Sequence, residues 1–274
     1  MFTLNCKGRL LVIDKPIVMG IINVTPDSFY EGSRQQIGSV LQVAEQMIKD
    51  GATILDIGGQ TTKPGSLEVG ADEEIKRVVP VIEQLKTTFP NAFISIDTYH
   101  AKVAKLGIET GADMVNDVSG GMIDLQMLET VAKLNVPYIC MHMKGTPQTM
   151  QQLAVYDDIT KNVLDFFIER AEACRTFGIK DVILDVGFGF GKTIDHNFQL
   201  LKALSVFKML DKPILAGLSR KSTIYKTLGI TANEALNGTT VLNTIALLNG
   251  ANILRVHDVK EAKEAIKLIS RYQQ

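Results

Sequence analysis

Tryptophan is missing altogether, and cysteine is scarce: Cys6, Cys140 and Cys174 are the only three in 274 residues. An odd number of thiols with no paired or metal-ligand spacing argues against a disulfide framework and for a reducing compartment, the cytoplasm. The four histidines are scattered, with no metal-binding spacing. No charge of one sign dominates. The chain has 29 Lys and Arg against 30 Asp and Glu, a net charge of −1, and neither a basic stripe nor an acidic tail supports a nucleic-acid or membrane-surface partner. No run of about 18 apolar residues occurs, so no membrane span is expected. The first ten residues lack the basic-then-apolar layout of a secretory signal. Low-complexity tracts and Pro/Gly/Ser linkers are also absent, so residues 1–274 read as one domain.

What the chain does have is repetition. Short apolar segments ending in polar residues recur at 17–23, 53–59, 93–97, 114–118, 137–142, 182–185, 213–217 and 253–257, eight in all. Their runs are nearly continuous, as in parallel strands covered on both faces. Between them lie amphipathic stretches. In 38–50, Val40, Leu41, Ala44, Met47 and Ile48 fall at helical spacing, with similar stretches near 73–88, 101–110, 124–134, 157–177, 197–209, 233–249 and 259–272. Gly107, Gly111, Gly178 and Gly250 fit helix ends or tight turns. The pattern predicts an α/β protein, a (β/α)8 TIM barrel. A short N-terminal β-hairpin, 2–14, turns at Lys7-Gly8 and plugs the barrel bottom. In such barrels chemistry sits at the C-terminal ends of the strands. The long segments 25–37 and 60–72 follow early strands and are expected to overhang that mouth.

Asp97, Asn116 and Asp185 end the third, fourth and sixth segments. Two carboxylates and a carboxamide converging on the barrel axis suit a flat, nitrogen-rich heterocycle with several N–H donors. The alternative is that these acids cap helices or lie solvated in loops. Lys221 follows Ser219-Arg220 after the seventh segment, and Arg255 and His257, two apart, point the same way in an extended strand. With Asn23 across the seam between first and last strands they form an anion clamp, where a diphosphate would bring Mg²⁺ with Asn23 as one oxygen ligand. The alternative is a surface arginine beside a capping histidine. The stretch Gly187-Phe188-Gly189-Phe190-Gly191-Lys192-Thr193 is no P-loop, because Val186 stands where the first glycine is required. It reads as a tight loop that either presents Phe190 as an aromatic wall or buries it. Cys140 and His142 alternate along one strand; a Cys–His nucleophile is conceivable, but Cys140 reads as core. Met141 faces the other way and could wall a flat ring. His100 and His196 begin helices at the surface.

Several blocks then resemble the dihydropteroate synthase family: Met19-Gly20-Ile21-Ile22-Asn23-Val24-Thr25-Pro26-Asp27-Ser28-Phe29, Asp56-Ile57-Gly58-Gly59-Gln60-Thr61-Thr62-Lys63-Pro64-Gly65, Gly217-Leu218-Ser219-Arg220-Lys221-Ser222 and Arg255-Val256-His257-Asp258. The blocks around Asp97, Asn116 and Asp185 follow in family order, so the resemblance spans nearly the whole chain. It implies a cytoplasmic, homodimeric folate-pathway transferase. The reaction joins 6-hydroxymethyl-7,8-dihydropterin diphosphate to 4-aminobenzoate, with Mg²⁺, and sulfonamides inhibit it as aminobenzoate mimics. By the resemblance, Asp97, Asn116, Asp185 and Lys221 hold the pterin, with Met141 and Gly217 packing its ring. Asn23, Arg255 and His257 hold the diphosphate, with Thr62 on the loop side. Thr62, Pro64, Phe29, Phe190, Arg220 and Ser222 shape the aminobenzoate site, and Lys221, Asp185 and Arg255 carry the chemistry. The chain departs from the family at Gln60 and Lys63, where Glu and Arg are usual, and at Glu31, where Asp is usual. Two other readings stay open. One is a pterin-dependent methyltransferase serving a corrinoid, which would not need the Ser219–Ser222 block. The other is a barrel that binds pterin without turnover.

Overall fold

The computed structural model describes residues 1–24, 34–60 and 69–273, for 34–36 the backbone alone. A β-hairpin opens the chain, β1 (Phe2–Cys6) and β2 (Arg9–Ile13), paired antiparallel. Lys7 and Gly8 turn it with positive φ, 55° and 87°. Eight parallel strands follow: β3 (Ile17–Asn23), β4 (Ile54–Gly58), β5 (Phe93–Asp97), β6 (Met114–Asp117), β7 (Tyr138–Met141), β8 (Val182–Asp185), β9 (Ile214–Ala216) and β10 (Ile253–Val256). They close into a barrel in chain order, with β10 back against β3. The helices between them are α1 (Arg34–Asp50), α2 (Ala71–Thr88), α3 (Ala101–Thr110), α4 (Met127–Leu134), α5 (Ile159–Phe177), α6 (Ile194–Lys202), α7 (Ser222–Leu228), α8 (Leu236–Leu248) and α9 (Val259–Tyr272).

The expected barrel and hairpin are both present. Three local expectations need correction. The helix anticipated over 197–209 is two elements, α6 and a tighter 3-10 turn, Leu204–Leu210. The region after β9 carries an additional short helix, α7. Gly107 lies inside α3 rather than at its end, where a Cβ would come within 3.2 Å of Ile96; the missing side chain lets helix and strand approach closely. Gly111, Gly178 and Gly250 do stand at helix ends with positive φ, as expected.

Side chains alternate along each strand. Leu55, Ile57, Ile94, Ile96, Val115, Cys140, Leu184 and Leu254 face outward into the core shared with the helices. Met19, Ile54, Met114, Ile139, Ile183, Leu215 and Ile253 face inward and fill the lower barrel, together with Leu4, Cys6, Leu11 and Ile13 of the hairpin. The hairpin is therefore a plug, and it is tied down at its rim. Arg9 donates to Asp113 (2.9 Å), whose other oxygen also takes Lys86 (3.1 Å) and the amide of Ile94 (2.9 Å). The amide of Asn5 donates to Asp181 (2.7 Å). All three cysteines are free and buried, and burial pushes the thiols of Cys6 and Cys174 up to about 12, so they are inert core.

The hairpin offers a direct contrast. Leu11 is 4% exposed and Leu10, its neighbour, 65%. Leu11→Ala should cost about 2–5 kcal/mol in urea unfolding, and Leu10→Ala no more than about 0.5 kcal/mol. Equal midpoints for the two variants would show that the hairpin does not plug the barrel.

Candidate active site

Two residues above the apolar floor, the inward positions of most strands change character. Ile54 gives way to Asp56, Phe93 to Ser95 and Asp97, Met114 to Asn116, Ile139 to Met141, Ile183 to Asp185, Leu215 to Gly217, and Ile253 to Arg255 and His257. In register, Asn23 lies beside Gly58, Gly58 beside Asp97, and Asp97 beside Asn116. The polar residues predicted from sequence thus meet at one mouth.

Their contacts are more direct than the sequence implied. Arg255 donates from Nε to Asp56 (2.6 Å) and from Nη2 to Asp97 (2.5 Å). The same Asp56 oxygen accepts from Asn116 (3.1 Å). Asp56, fully buried, is therefore the hub that joins the expected anion clamp to the expected heterocycle site. It stands outside the candidate set drawn from sequence. The available signal was a carboxylate at an inward position of the otherwise apolar run Ile54–Gly58. Burial raises Asp97 to about 7 against the pull of Arg255, and Asp56, Asp117 and Asp185 add to the rise. Burial works against the Arg255 charge, but Asp56 and Asp97 outweigh it and hold the guanidinium firmly protonated. Asn23 is exposed at the strand exit; its Oδ1 and Asp97 Oδ2 lie 3.8 and 3.7 Å from where a Cβ on Gly58 would sit, so both flank one open spot.

The opposite wall is built from β7, β8 and β9. Asp185 accepts from the amide of Gly187 (2.8 Å), and burial raises its pKa. Lys221 donates to the carbonyl of Phe188, and its Nζ lies 4.8 Å from the centre of the Phe190 ring. Burial pulls Lys221 down to about 8 while Asp185 opposes the fall. Gly217 leaves space beside this ammonium, 3.6 Å from where its Cβ would be. Met141, Met143, Met150, Tyr99, Val118 and Phe190 form a separate apolar cluster. The arrangement offers a flat, soft surface rimmed by carboxylates, a carboxamide and two cations, the chemistry needed to hold a planar heterocycle carrying an anionic group.

The remaining expected residues take the following places. Arg220, with φ of 53°, spends its guanidinium on both oxygens of Asp258 (2.8 and 2.8 Å) and on the carbonyls of Ala232 and Asn233 (3.1 and 2.7 Å). It clamps the β9 exit to the β10 exit. His257 shares a hydrogen bond with Ser219 (3.1 Å) at the rim. Desolvation, and after it the Arg255 charge, push its pKa down, so at neutral pH it is a polar group rather than a cation. Ser222 opens α7. Cys140 faces the outer core as read from sequence, and burial raises its thiol far above the ordinary value. Met141 faces the mouth. Phe29, Thr62, Pro64, Glu31 and Lys63 lie outside the described residues.

Where the chain leaves β4, Gln60 is buried. It donates to Glu74 (3.4 Å) and accepts from the Tyr99 hydroxyl (3.1 Å), while Glu74 also accepts from Thr98 (3.0 Å). The Gln60 amide thus bridges a buried acid and a phenol. The other oxygen of Glu74 has no partner among the described residues. Burial raises this carboxyl from its ordinary 4.5 to about 8.

A barrel with this mouth belongs among enzymes that act on a flat heterocycle bearing an anionic group. The family model described as pterin binding enzyme matches residues 19–257. The chain is 41% identical over 269 residues to the dihydropteroate synthase of Escherichia coli strain K12, covering 97% of this chain and 95% of that one. It is 42% identical to the dihydropteroate synthase of Streptococcus pyogenes, covering 96% and 98%. The Yersinia pestis dihydropteroate synthase in a sulfonamide drug complex superposes with a TM-score of 0.93 at 40% identity, covering 99% of each chain. The Xanthomonas albilineans enzyme with 7,8-dihydropteroate gives 0.89 at 36%, again covering 99% of each. The chain belongs to the pterin-binding enzymes and, within them, to the dihydropteroate synthase family.

Glu74 yields a pH test. The folded state keeps a proton that the unfolded chain releases above 4.5, so the contribution of Glu74 to stability is full below that pH and is lost as pH rises towards about 8. Glu74→Gln should flatten that part of the profile in denaturation series. Superimposable slopes for the two proteins would show that Glu74 titrates normally.

Proposed function

We propose that the chain condenses 6-hydroxymethyl-7,8-dihydropterin diphosphate with 4-aminobenzoate, giving 7,8-dihydropteroate and diphosphate. The observation that carries this reading is the joined network of Asp56, Asp97, Asn116 and Arg255 at one mouth, in a chain related to dihydropteroate synthases over nearly its whole length. Solved structures of the Xanthomonas albilineans relative hold 4-aminobenzoic acid in one case and 7,8-dihydropteroate in the other. In this reading Asp97, Asn116 and Asp185 accept from and donate to the pterin edge, Lys221 donates to it, and Met141 and Gly217 lie against its ring. Arg255, Asn23 and His257 meet the diphosphate. The C–O bond to the diphosphate breaks and the bonding pair leaves with it. The Asp185 carboxylate favours the electron-poor methylene, and the arylamine nitrogen supplies its lone pair and gives up a proton to the released diphosphate. Phe190 and the apolar cluster keep competing water away.

The residues fit Mg²⁺ of the kind that takes most of its ligands from substrate and water. Asn23 offers one carboxamide oxygen, and the described residues contain no cluster of three or more His, Cys, Asp or Glu that would cage an ion. When bound, Mg²⁺ would neutralise charge on the departing diphosphate. Thr62, Pro64, Phe29, Arg220 and Ser222 are proposed around the aminobenzoate, where sulfonamides would compete.

We also propose a single barrel domain working as a homodimer. In support, α8 is apolar on its outer side as well, exposing Val241, Ile245 and Leu248 at i, i+4 and i+7. A cytoplasmic location is our reading from three unpaired buried thiols. None of the described helices is long and apolar enough to cross a membrane.

Purified chain with Mg²⁺, the pterin diphosphate and labelled aminobenzoate should form labelled pteroate, and none forming would refute the reading. Arg255→Ala should weaken the pterin diphosphate far more than a pterin lacking diphosphate, measured by calorimetry; equal losses would remove Arg255 from the anion site. Asp97→Ala should weaken pterin binding by about 1–3 kcal/mol, the loss of a buried charged hydrogen-bond partner. An unchanged affinity would contradict its place in the pocket.

A further inference from the structure

The loop 187–191 is held in an unusual way. Each of its five carbonyls accepts from a side chain: Gly187 and Phe190 from Lys192 (2.9 Å each), Phe188 from Lys221, Gly189 from Gln151 (3.2 Å) and Gly191 from the Tyr156 hydroxyl (2.8 Å). Lys192 does the most. Its Nζ also reaches His142 Nδ1 (2.9 Å) and the His142 carbonyl (3.2 Å), and it is 3% exposed. Among the described residues it has no carboxylate within ion-pair distance. Asp185 attracts it from further off, while burial lowers it to about 7. His142, driven down to about 2 by burial and then by Lys192, is neutral and free to accept at Nδ1.

A buried ammonium with only neutral acceptors is a costly way to fill space, which a methionine or leucine would fill more cheaply. Its bonds, however, are specific. It grips the loop at its first residue and again at Phe190, and anchors both to the exit of β7. Gly187, Gly189 and Gly191 all have positive φ, and a Cβ on Gly187 would fall 2.0 Å from the His142 carbonyl, so the loop has one tight path. Phe190, 8% exposed, is the residue that path seats beside Met141, Met143 and Met150, its ring centre 4.8 Å from the Lys221 ammonium at the mouth.

We propose that Lys192 is a positioning residue: by tying His142, Gly187 and Phe190 to one ammonium, it fixes the Phe190 ring as the wall against which the aromatic amine is held. This rests on the dihydropteroate synthase reading above. The wild-type assay tests that reading by itself, since absence of pteroate would sink it before any variant is compared.

Lys192→Met keeps the stem and removes the donors. KM for aminobenzoate should rise by about tenfold or more, while Kd for the pterin diphosphate by calorimetry moves by less than about twofold. In a Phe190→Leu background the same change should add less than about twofold to KM, because the wall it positions is gone. Parallel losses of both substrates, or lowered stability with KM unmoved, would overturn the proposal. Should Lys192→Met not fold, Tyr156→Phe decides the matter. It removes one rim donor to the same loop and should raise aminobenzoate KM by about two- to fivefold; an unchanged KM would overturn the proposal equally.

Discussion

The mouth of this barrel depends on how the guanidinium of Arg255 is kept inside it. A cation this enclosed needs countercharge, and the last strand supplies none. Closure of β10 on β3 carries Arg255 across the barrel to Asp56 on β4 and Asp97 on β5. Asp56 then serves twice, since the oxygen that meets Arg255 also accepts from Asn116. Removing one partner of a buried pair typically costs about 3–5 kcal/mol, because the other charge is left stranded. The same geometry therefore stabilises the closed barrel and orients the groups offered to substrate. It is not saturated: Asp56 Oδ1 and Ser95 Oγ, on paired positions of β4 and β5, are buried and have no partner among the described residues.

Why the charges gather at one level follows from the strand period. Inward positions come every second residue, so one step along β4, β5, β6, β8 and β10 changes the barrel from an apolar floor to a polar level. The hairpin plug seals the floor from below. Groups above a dry floor lose their hydration, which disfavours the charged form, so burial shifts Asp97 up and Lys221 and Lys192 down towards neutral pH against the pull of their oppositely charged neighbours.

Most of this architecture is legible in the sequence because it is repetitive. Eight apolar runs with polar ends predict both the barrel and the level of the site, and long periodic helices such as α5 and α9 follow directly. The parts that sequence hides have physical reasons. Helix α7 spans seven residues right after a left-handed Arg220, too short to show periodicity. Asp56 sits within an apolar run and passes for part of the strand. Arg220 looks like a free cation beside the pocket, yet Asp258 and two carbonyls consume it. The role of Lys192 is hidden because three of its four acceptors are backbone carbonyls, which only the folded path of 187–191 and the β7 exit bring together.

The two cations at the mouth share a property that bears on binding. Neither waits unbonded: Arg255 is held by carboxylates and Lys221 by the Phe188 carbonyl. A substrate that approaches them meets side chains already fixed in position, so little rotamer entropy remains to be lost on binding. Nor are the two equivalent. Arg255 is gripped by two carboxyl groups on neighbouring strands and keeps its place whatever arrives, adding charge through its remaining nitrogen. Lys221 holds a single neutral acceptor and can exchange it for a substrate oxygen at small cost. The fixed cation suits an anion that must be stabilised as it leaves, and the exchangeable one suits a ring that must be recognised as it enters.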